Sequence, residues 1–501
     1  MKRRELLKFL AAATAGILMT ASLAFTDTPK STSLAGTRPN LILIIADDVS
    51  FSDLGCYRNR DVRTPALDAM AAKGQRWDNA YLTASVCSPS RASMITSRYP
   101  HNTGAPELHR FMTGEQPLFP KSLRDAGYWC VQAGKWHLGN HPKKAFDKVL
   151  ENKGAGPGGE GQWVDLLRSR PKDKPFFMWF ASFDAHRDWQ PDPDATPHDP
   201  SKIALPKPLV DTNATRGDLA AYYDEIQRLD RYVGKVIEEL KRQKILDNTL
   251  ILFVSDNGRP FPRAKRWLVE DGSRTPFIVH WPKGLSGSGT VSKELVSVID
   301  IAPTFLELAG AEKPKGSQGR SFVPQLLDHK AKICDYVFAE RNWQVEYCHE
   351  RLVRWGDWAY YRNAAPKLSH FGAVSATFYH YPGYDNLLSL KTEGKNLTPA
   401  QADVFMQPRP KEQLFDIVKD PDQIKDLAAD PEAAKVLLHL RDVMDRWQAE
   451  TGDTVPSLKN RTPDRHDRIT GKRLHEGSHP RKGEYPGDKA GARTILLPGP
   501  R

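Results

Sequence analysis

Cysteine is scarce in this chain: there are five, Cys56, Cys87, Cys130, Cys334 and Cys348, at irregular spacings. So few and so uneven a set excludes a disulfide framework, and the lack of a CxxC pair leaves no zinc pattern. Cys334 and Cys348 remain the one pair that an oxidising compartment would be able to join. Long apolar runs are missing too. Beyond the first residues no stretch reaches the ~20 unbroken apolar residues of a spanning helix, and there is no internal repeat. What is present is a hydrophobic share of 40% over 501 residues, which excludes a disordered chain and supports a large domain with a smaller one beside it.

The first residues set Lys2, Arg3 and Arg4 ahead of an apolar stretch that closes on Ser22, Leu23 and Ala24. That is the layout of an export signal over 1–24, and Arg3-Arg4 resembles the twin-arginine type; an uncleaved anchor has the same composition. The expected location is exported, periplasmic or extracellular, in a bacterium. The net charge of +11 suits an anionic substrate, and about half of it falls in residues 457–501. That segment has little apolar periodicity. It is expected to be a basic, weakly ordered tail, with a docking arm for a polyanion as the alternative, and nothing points to nucleic acid.

Two apolar, β-branched runs, 41–46 and 250–255, stop abruptly at Asp47-Asp48 and at Asp256-Asn257-Gly258, and a third, 176–183, ends at Asp184-Ala185-His186. Continuous runs of this kind predict strands buried on both faces, and in open α/β sheets ligands collect at the carboxyl ends of such strands. Thr64-Pro65 starts a helix that Gly74 stops, and a longer helix over about 216–243 carries an apolar stripe from Leu219 to Leu240. Alternating strands and helices predict an α/β architecture. After about Cys334 short aromatic segments and a helix near 430–450 predict a smaller antiparallel domain.

Chemistry concentrates at Cys87-Ser88-Pro89-Ser90-Arg91. Ser88 as cap and Pro89 as first helical residue place Cys87 at a helix N-terminus, where backbone N–H groups favour an anion or a thiolate. Asp47, Asp48, Asp256 and Asn257 offer hard oxygen ligands only, which suits Ca²⁺ or Mg²⁺ and argues against zinc. Taken singly, a paired Asp is usually a cap or a solvated turn, and a lone His is usually structural.

Cys-x-Pro-x-Arg is the motif in which type I sulfatases convert cysteine to formylglycine, and this chain resembles that family. The motif's companions stand in the family's order: Asp47-Asp48, Gly134-Lys135-Trp136-His137, His186, Asp256-Asn257-Gly258 and Lys265, with Gln413-Leu414-Phe415-Asp416 in the second domain. Pro260-Phe261-Pro262, Asp218-Leu219-Ala220-Ala221 and Trp447-Gln448-Ala449-Glu450-Thr451 resemble heparan N-sulfatases (sulfamidases) in particular. The resemblance implies an alkaline-phosphatase-like large mixed sheet flanked by helices, over 38–333, and a smaller C-terminal α+β domain with an antiparallel sheet, over 334–456. It implies one divalent cation, Ca²⁺ or Mg²⁺, on Asp47, Asp48, Asp256, Asn257 and the modified Cys87, and a formylglycine-generating enzyme as maturation partner. The hydrated aldehyde would attack sulfur and later expel sulfate, with His137 as base, His186 as acid and Arg91, Lys135 and Lys265 holding charge. The implied substrate is a sulfated sugar or glycan, cleaved by N- or O-desulfation; phosphoester or phosphonate hydrolysis is the runner-up. Two departures bear on this: Ala185 stands where sulfamidases have proline, and Lys265 stands where they have arginine, whereas lysine there is common in O-sulfatases. Glu107 and His109, with Arg110, are candidate substrate contacts on the loop after the catalytic helix.

Overall fold

In the computed structural model the described residues are 33–114, 116–151, 158–371, 381–468, 472–475 and 483–501; the expected export signal lies outside them. Leu34–Arg501 forms one compact unit. Its strands are β1 (Asn40–Ala46), β2 (Gln75–Trp77), β3 (Ala80–Tyr81), β4 (Trp129–Gly134), β5 (Lys148–Leu150), β6 (Phe176–Ala181), β7 (Thr249–Ser255), β8 (Phe277–His280), β9 (Thr290–Ser292) and β10 (Val296–Ser297). Further along come β11 (Tyr336–Arg341), β12 (Glu350–Trp355), β13 (Trp358–Asn363) and β14 (Glu412–Asp416). Eight of them form one mixed sheet in the order β5-β4-β6-β1-β7-β8-β2-β9, whose centre, β4 through β7, is parallel.

The apolar runs produce this sheet because side chains alternate between its faces. Leu41, Leu43 and Ile45 enter one core with Trp179, Leu252 and Val254. Ile42 and Ile44 enter the opposite core with Met178, Phe180 and Phe253. Helices cover both layers. α1 is Cys87–Thr96, α2 is Asn213–Arg242 and α3 is Ala434–Thr451. In α2 the predicted stripe is buried from Leu219 to Leu240, and Thr212 caps it by accepting from the Thr215 N–H at 3.1 Å.

Strands β11 to β14 form a separate antiparallel sheet in chain order. Helix α3 lays Leu437, Leu440, Met444 and Trp447 against its Phe338, Val353, Tyr360 and Leu414. The segment expected to be a loose basic tail is, where described, held by specific bonds. The Arg501 guanidinium pairs with both oxygens of Asp300 at 2.8 Å, Arg98 donates to the Ile495 carbonyl at 2.7 Å, and Trp343 donates to the Pro463 carbonyl at 2.9 Å. All five cysteines are free, Cys334 and Cys348 included. Among the described residues no helix is long and apolar enough to cross a membrane.

Candidate active site

Four adjacent parallel strands, β4, β6, β1 and β7, deliver their C-terminal ends to one edge of the sheet. Lys135 follows β4, His186 follows β6, Asp47 and Asp48 follow β1, and Asp256 and Asn257 follow β7. Four sequence-distant segments therefore converge because the strands are neighbours, as expected for open α/β sheets. Gly134 permits the convergence at Lys135: its φ is +91°, and a Cβ there would lie 1.9 Å from the Ala181 carbonyl oxygen.

Cys87 is the first residue of α1 and is buried. The cap differs from the sequence expectation, since Val86 holds the N-cap position without a side-chain bond. Ser88 is spent elsewhere, its Oγ accepting the His109 N–H at 3.1 Å and so tying the 104–114 loop to the helix start. The Cys87 Sγ lies 3.7 Å from an Asp47 oxygen and 3.9 Å from an Asp48 oxygen. Burial pushes the thiol up to about 12, and Lys135 and Lys265 offset that only in part. The unmodified residue is thus a thiol at neutral pH, which disfavours a thiolate nucleophile. Protein whose Cys87 remains cysteine is expected to resist iodoacetamide at position 87 while folded, at about pH 8, and to react once denatured. Peptide mass spectrometry reads this, and fast labelling of the native protein would restore the thiolate.

Ligand atoms of Asp47, Asp48, Cys87 and Asp256 all lie within 4.8 Å of one another, and all four residues are buried. Three cations face the three carboxylates. Lys135 Nζ contacts Asp47, Lys265 Nζ donates to both Asp48 oxygens at 2.6 and 2.7 Å, and Arg91 Nε donates to Asp256 at 2.7 Å. Burial alone would raise the Asp48 carboxyl, but Lys265, His186 and Lys135 outweigh it and hold the group below its usual range. The Asn257 amide donates to Asp48 at 2.6 Å, while its Oδ1 is buried without a partner. An orphaned hard oxygen beside three carboxylates fits a Ca²⁺ or Mg²⁺ ion.

His137 sits on a left-handed backbone turn, φ +57°, with its Nε2 3.0 Å from His109 Nδ1. Desolvation, then Lys135 and His109, depress its pKa well below the ordinary histidine value, so it is a neutral imidazole. His186 is exposed at the mouth, with Nδ1 against the Arg187 carbonyl. Desolvation by the wall and the Lys265 ammonium lower its pKa as well, although Asp48 pulls the other way.

All the candidate residues at the strand ends and at the start of α1 therefore come together. Glu107 stands apart from them: it is buried, and its Oε2 accepts the Thr462 hydroxyl at 2.7 Å, so it anchors the C-terminal segment to the loop. Arg110 stacks on Tyr485 at 5.0 Å. His109 does join the site, through His137. Arg266 and Gln344 escaped the sequence-based reading; both line a cavity of about 90 Å³ that opens over Asp48, His186 and Lys265. For Arg266 the available signal was its place beside Lys265; for Gln344 there was none.

A sulfatase family profile matches residues 39–156 and 161–311. Human N-sulphoglucosamine sulphohydrolase is 30% identical over 474 residues, covering 84% of this chain and 92% of that protein. An ulvan-active sulfatase of Formosa agariphila is 29% identical over 462 residues, covering 83% of this chain and 76% of that protein. Among solved structures, one in complex with its substrate D-glucosamine-2-N,6-O-disulfate superimposes with a TM-score of 0.63 at 20% identity, covering 82% of this chain and 98% of its own. The phosphonate monoester hydrolase of Agrobacterium radiobacter gives 0.62 at 18%, covering 82% and 96%. At such identities the structures speak for a shared fold only.

Proposed function

The chain belongs to the sulfatase family, and from that premise we propose that it removes sulfate from a sulfated sugar or glycan, using formylglycine made from Cys87 and one divalent cation. The observation that carries this is the position of Cys87 Sγ, 3.7 and 3.9 Å from the oxygens of Asp47 and Asp48, inside a ring of three carboxylates and three cations. Asp47, Asp48, Asp256, Asn257 and the side chain at 87 would hold Ca²⁺ or Mg²⁺. When present, the cation supplies Lewis acidity at the sulfate oxygens, and formylglycine supplies the attacking oxygen.

The remaining roles fall to ordinary side chains. Arg91, Lys135 and Lys265 are buried or nearly so, and they hold positive charge where the sulfate oxygens gain negative charge. With Nδ1 engaged by the Arg187 carbonyl, His186 exchanges its proton at Nε2 and serves the leaving atom. Its lowered pKa makes its protonated form the stronger acid. His137, held neutral, accepts a proton at residue 87, and His109 orients it. Maturation by a formylglycine-generating enzyme, export directed by residues 1–24, and a division into a catalytic part over 38–333 and a smaller part over 334–456 belong to the same proposal.

The substrate class draws on the relatives: N-sulphoglucosamine and ulvan appear in the names of proteins similar along most of this chain. Protein co-produced with a formylglycine-generating enzyme is expected to release sulfate from N-sulfoglucosamine or from an O-sulfated sugar. Cys87→Ala should lower that rate at least ~10³-fold. Release from N-sulfoglucosamine alone makes it a sulfamidase, and release from O-sulfated sugars alone makes it an O-sulfatase. Equal rates for the wild type and Cys87→Ala would remove the nucleophile.

A further inference from the structure

Two arginines line the cavity above the reacting groups, and their charge is spent differently. The Arg187 guanidinium is clasped by both oxygens of Asp218 at 2.6 and 2.7 Å and is faced by the rings of Tyr381, Trp189 and Phe261 at 3.9, 4.4 and 4.8 Å. It is a fixed part of the wall. The Arg266 side chain is only 13% exposed, yet among the described residues its guanidinium has a single ion pair, a 3.5 Å contact with Glu346. Such a contact is at the outer edge of hydrogen bonding, and a guanidinium has five N–H donors to place. Among the described residues most of them meet no acceptor.

The backbone holds Arg266 there at a cost. Its φ is +78°, the left-handed region that non-glycine residues avoid, and its N–H donates to the Ser85 carbonyl at 2.9 Å, two residues before Cys87. Consecutive residues thereby reach the same cavity: Lys265 turns to Asp48, and Arg266 lines it without contacting a catalytic carboxylate. Gln344 also lines the cavity, and its Oε1 is closed off from solvent with no partner among the described residues. Glu346 is an incomplete counter-ion, with Oε1 likewise unpartnered; burial raises its carboxyl, and Arg266 and Arg468 offset this only in part. The cavity of about 90 Å³ is roughly six times what one water needs, room for more than the reacting group.

We propose that Arg266 forms a second anion subsite, in which it takes a sulfate or carboxylate of the same glycan away from the bond being cut, with Gln344 lining the same cavity beside it. The subsite rests on the reading of this mouth as the place where a sulfated sugar is cleaved. It makes the protein prefer substrates with two acidic groups, and Arg266 is a specificity residue outside the reacting set.

The test compares matured wild type, Arg266→Gln and Arg266→Lys on N-sulfoglucosamine, on glucosamine-2-N,6-O-disulfate, and on N-sulfoglucosamine linked to a uronate. Arg266→Gln is expected to raise KM for the doubly acidic sugars about tenfold, with kcat kept, and to change the singly charged sugar less than about twofold. Arg266→Lys should fall between them, and melting temperatures should match, since Arg266 makes one long contact. An effect confined to the disulfate identifies a sulfate as the anion; one confined to the uronate identifies a carboxylate. Equal losses on all three sugars, or none, overturn the subsite. Calorimetric binding of the same sugars to Cys87→Ala protein separates the two readings. Preferential binding of doubly acidic sugars that depends on Arg266, in a wild type that releases no sulfate, would sink the proposed reaction and keep the subsite. Binding without that preference would sink the subsite.

Discussion

Asp256→Asn is expected to destabilise the fold by about 3–5 kcal/mol and also to abolish the rise in melting temperature that the proposed Ca²⁺ site should give the wild type. The first effect comes from Arg91. Its side chain and that of Asp256 are both 0% exposed and joined at 2.7 Å, so neutralising the acid leaves a guanidinium charge in the interior. The remaining Arg91 bond, Nη1 to the Lys135 carbonyl at 3.0 Å, is to a neutral acceptor. The second effect comes from losing one of the three carboxylates proposed to hold the ion. Asn257→Ala separates the two, because it removes an Oδ1 that has no partner among the described residues and leaves the Arg91–Asp256 pair in place. That variant loses the Nδ2 bonds to Asp48 and to the Gly258 carbonyl, about 1–2 kcal/mol, so without Ca²⁺ it should melt below the wild type but above Asp256→Asn, and it should fail to gain from the ion. Melting curves with and without Ca²⁺ decide the matter. If Asp256→Asn melts like the wild type and still responds to Ca²⁺, both the buried pair and the ligand assignment are wrong.

Such balance explains why the site was readable at the level of chemistry. The runs 41–46 and 250–255 are apolar at every position because both sheet faces are covered, and each ends on acids because the strand ends meet there. Charge in a buried place requires a partner, so acids at strand ends announce cations nearby. Which cation pairs with which acid is set by tertiary contact. Lys265 reaches Asp48 across more than two hundred residues of chain, and only its place in the family's motif order suggested it.

The parts that were not legible share one cause. Composition and periodicity describe a segment against solvent, whereas its fate depends on what the rest of the fold offers it. Residues 457–501 lack periodicity and resemble a solvated tail, yet Asp300 offers Arg501 a buried carboxylate and Glu107 offers Thr462 an acceptor. Glu107, read as a substrate contact, is used for that same seating. The cap of α1 shows the effect locally: Ser88 is a good cap by propensity, but the 104–114 loop claims its hydroxyl. Helix α3 was legible because Leu437, Leu440, Met444 and Trp447 repeat at helical spacing whatever sheet receives them.

The buried network behind α3 should carry as much stability as the site itself. Arg351 of β12 donates to both oxygens of Asp453 at 2.7 and 2.8 Å, and His101 Nδ1 lies 2.6 Å from Glu340 of β11; the Arg351, Asp453, His101 and Glu340 side chains are all 0% exposed. Burial alone would raise the Asp453 carboxyl, but Arg351 and His349 more than offset it and hold the pKa well below 3.8. Its folded value is thus below its unfolded one, so the stability it confers is complete above the unfolded pKa and is lost as pH falls through the folded one. Asp453→Asn is therefore expected to cost about 3–5 kcal/mol at neutral pH by stranding Arg351, and the difference from wild type should shrink as pH is taken down to about 3. Sulfate release per folded molecule should stay near wild type, since no residue of this network lines the cavity over Lys265. Denaturant melts of both proteins across that range read the outcome. A deficit that stays constant with pH would mean that Asp453 acts through packing, and no deficit at pH 7 would mean that Arg351 finds its charge partner in Glu340, 3.8 Å away.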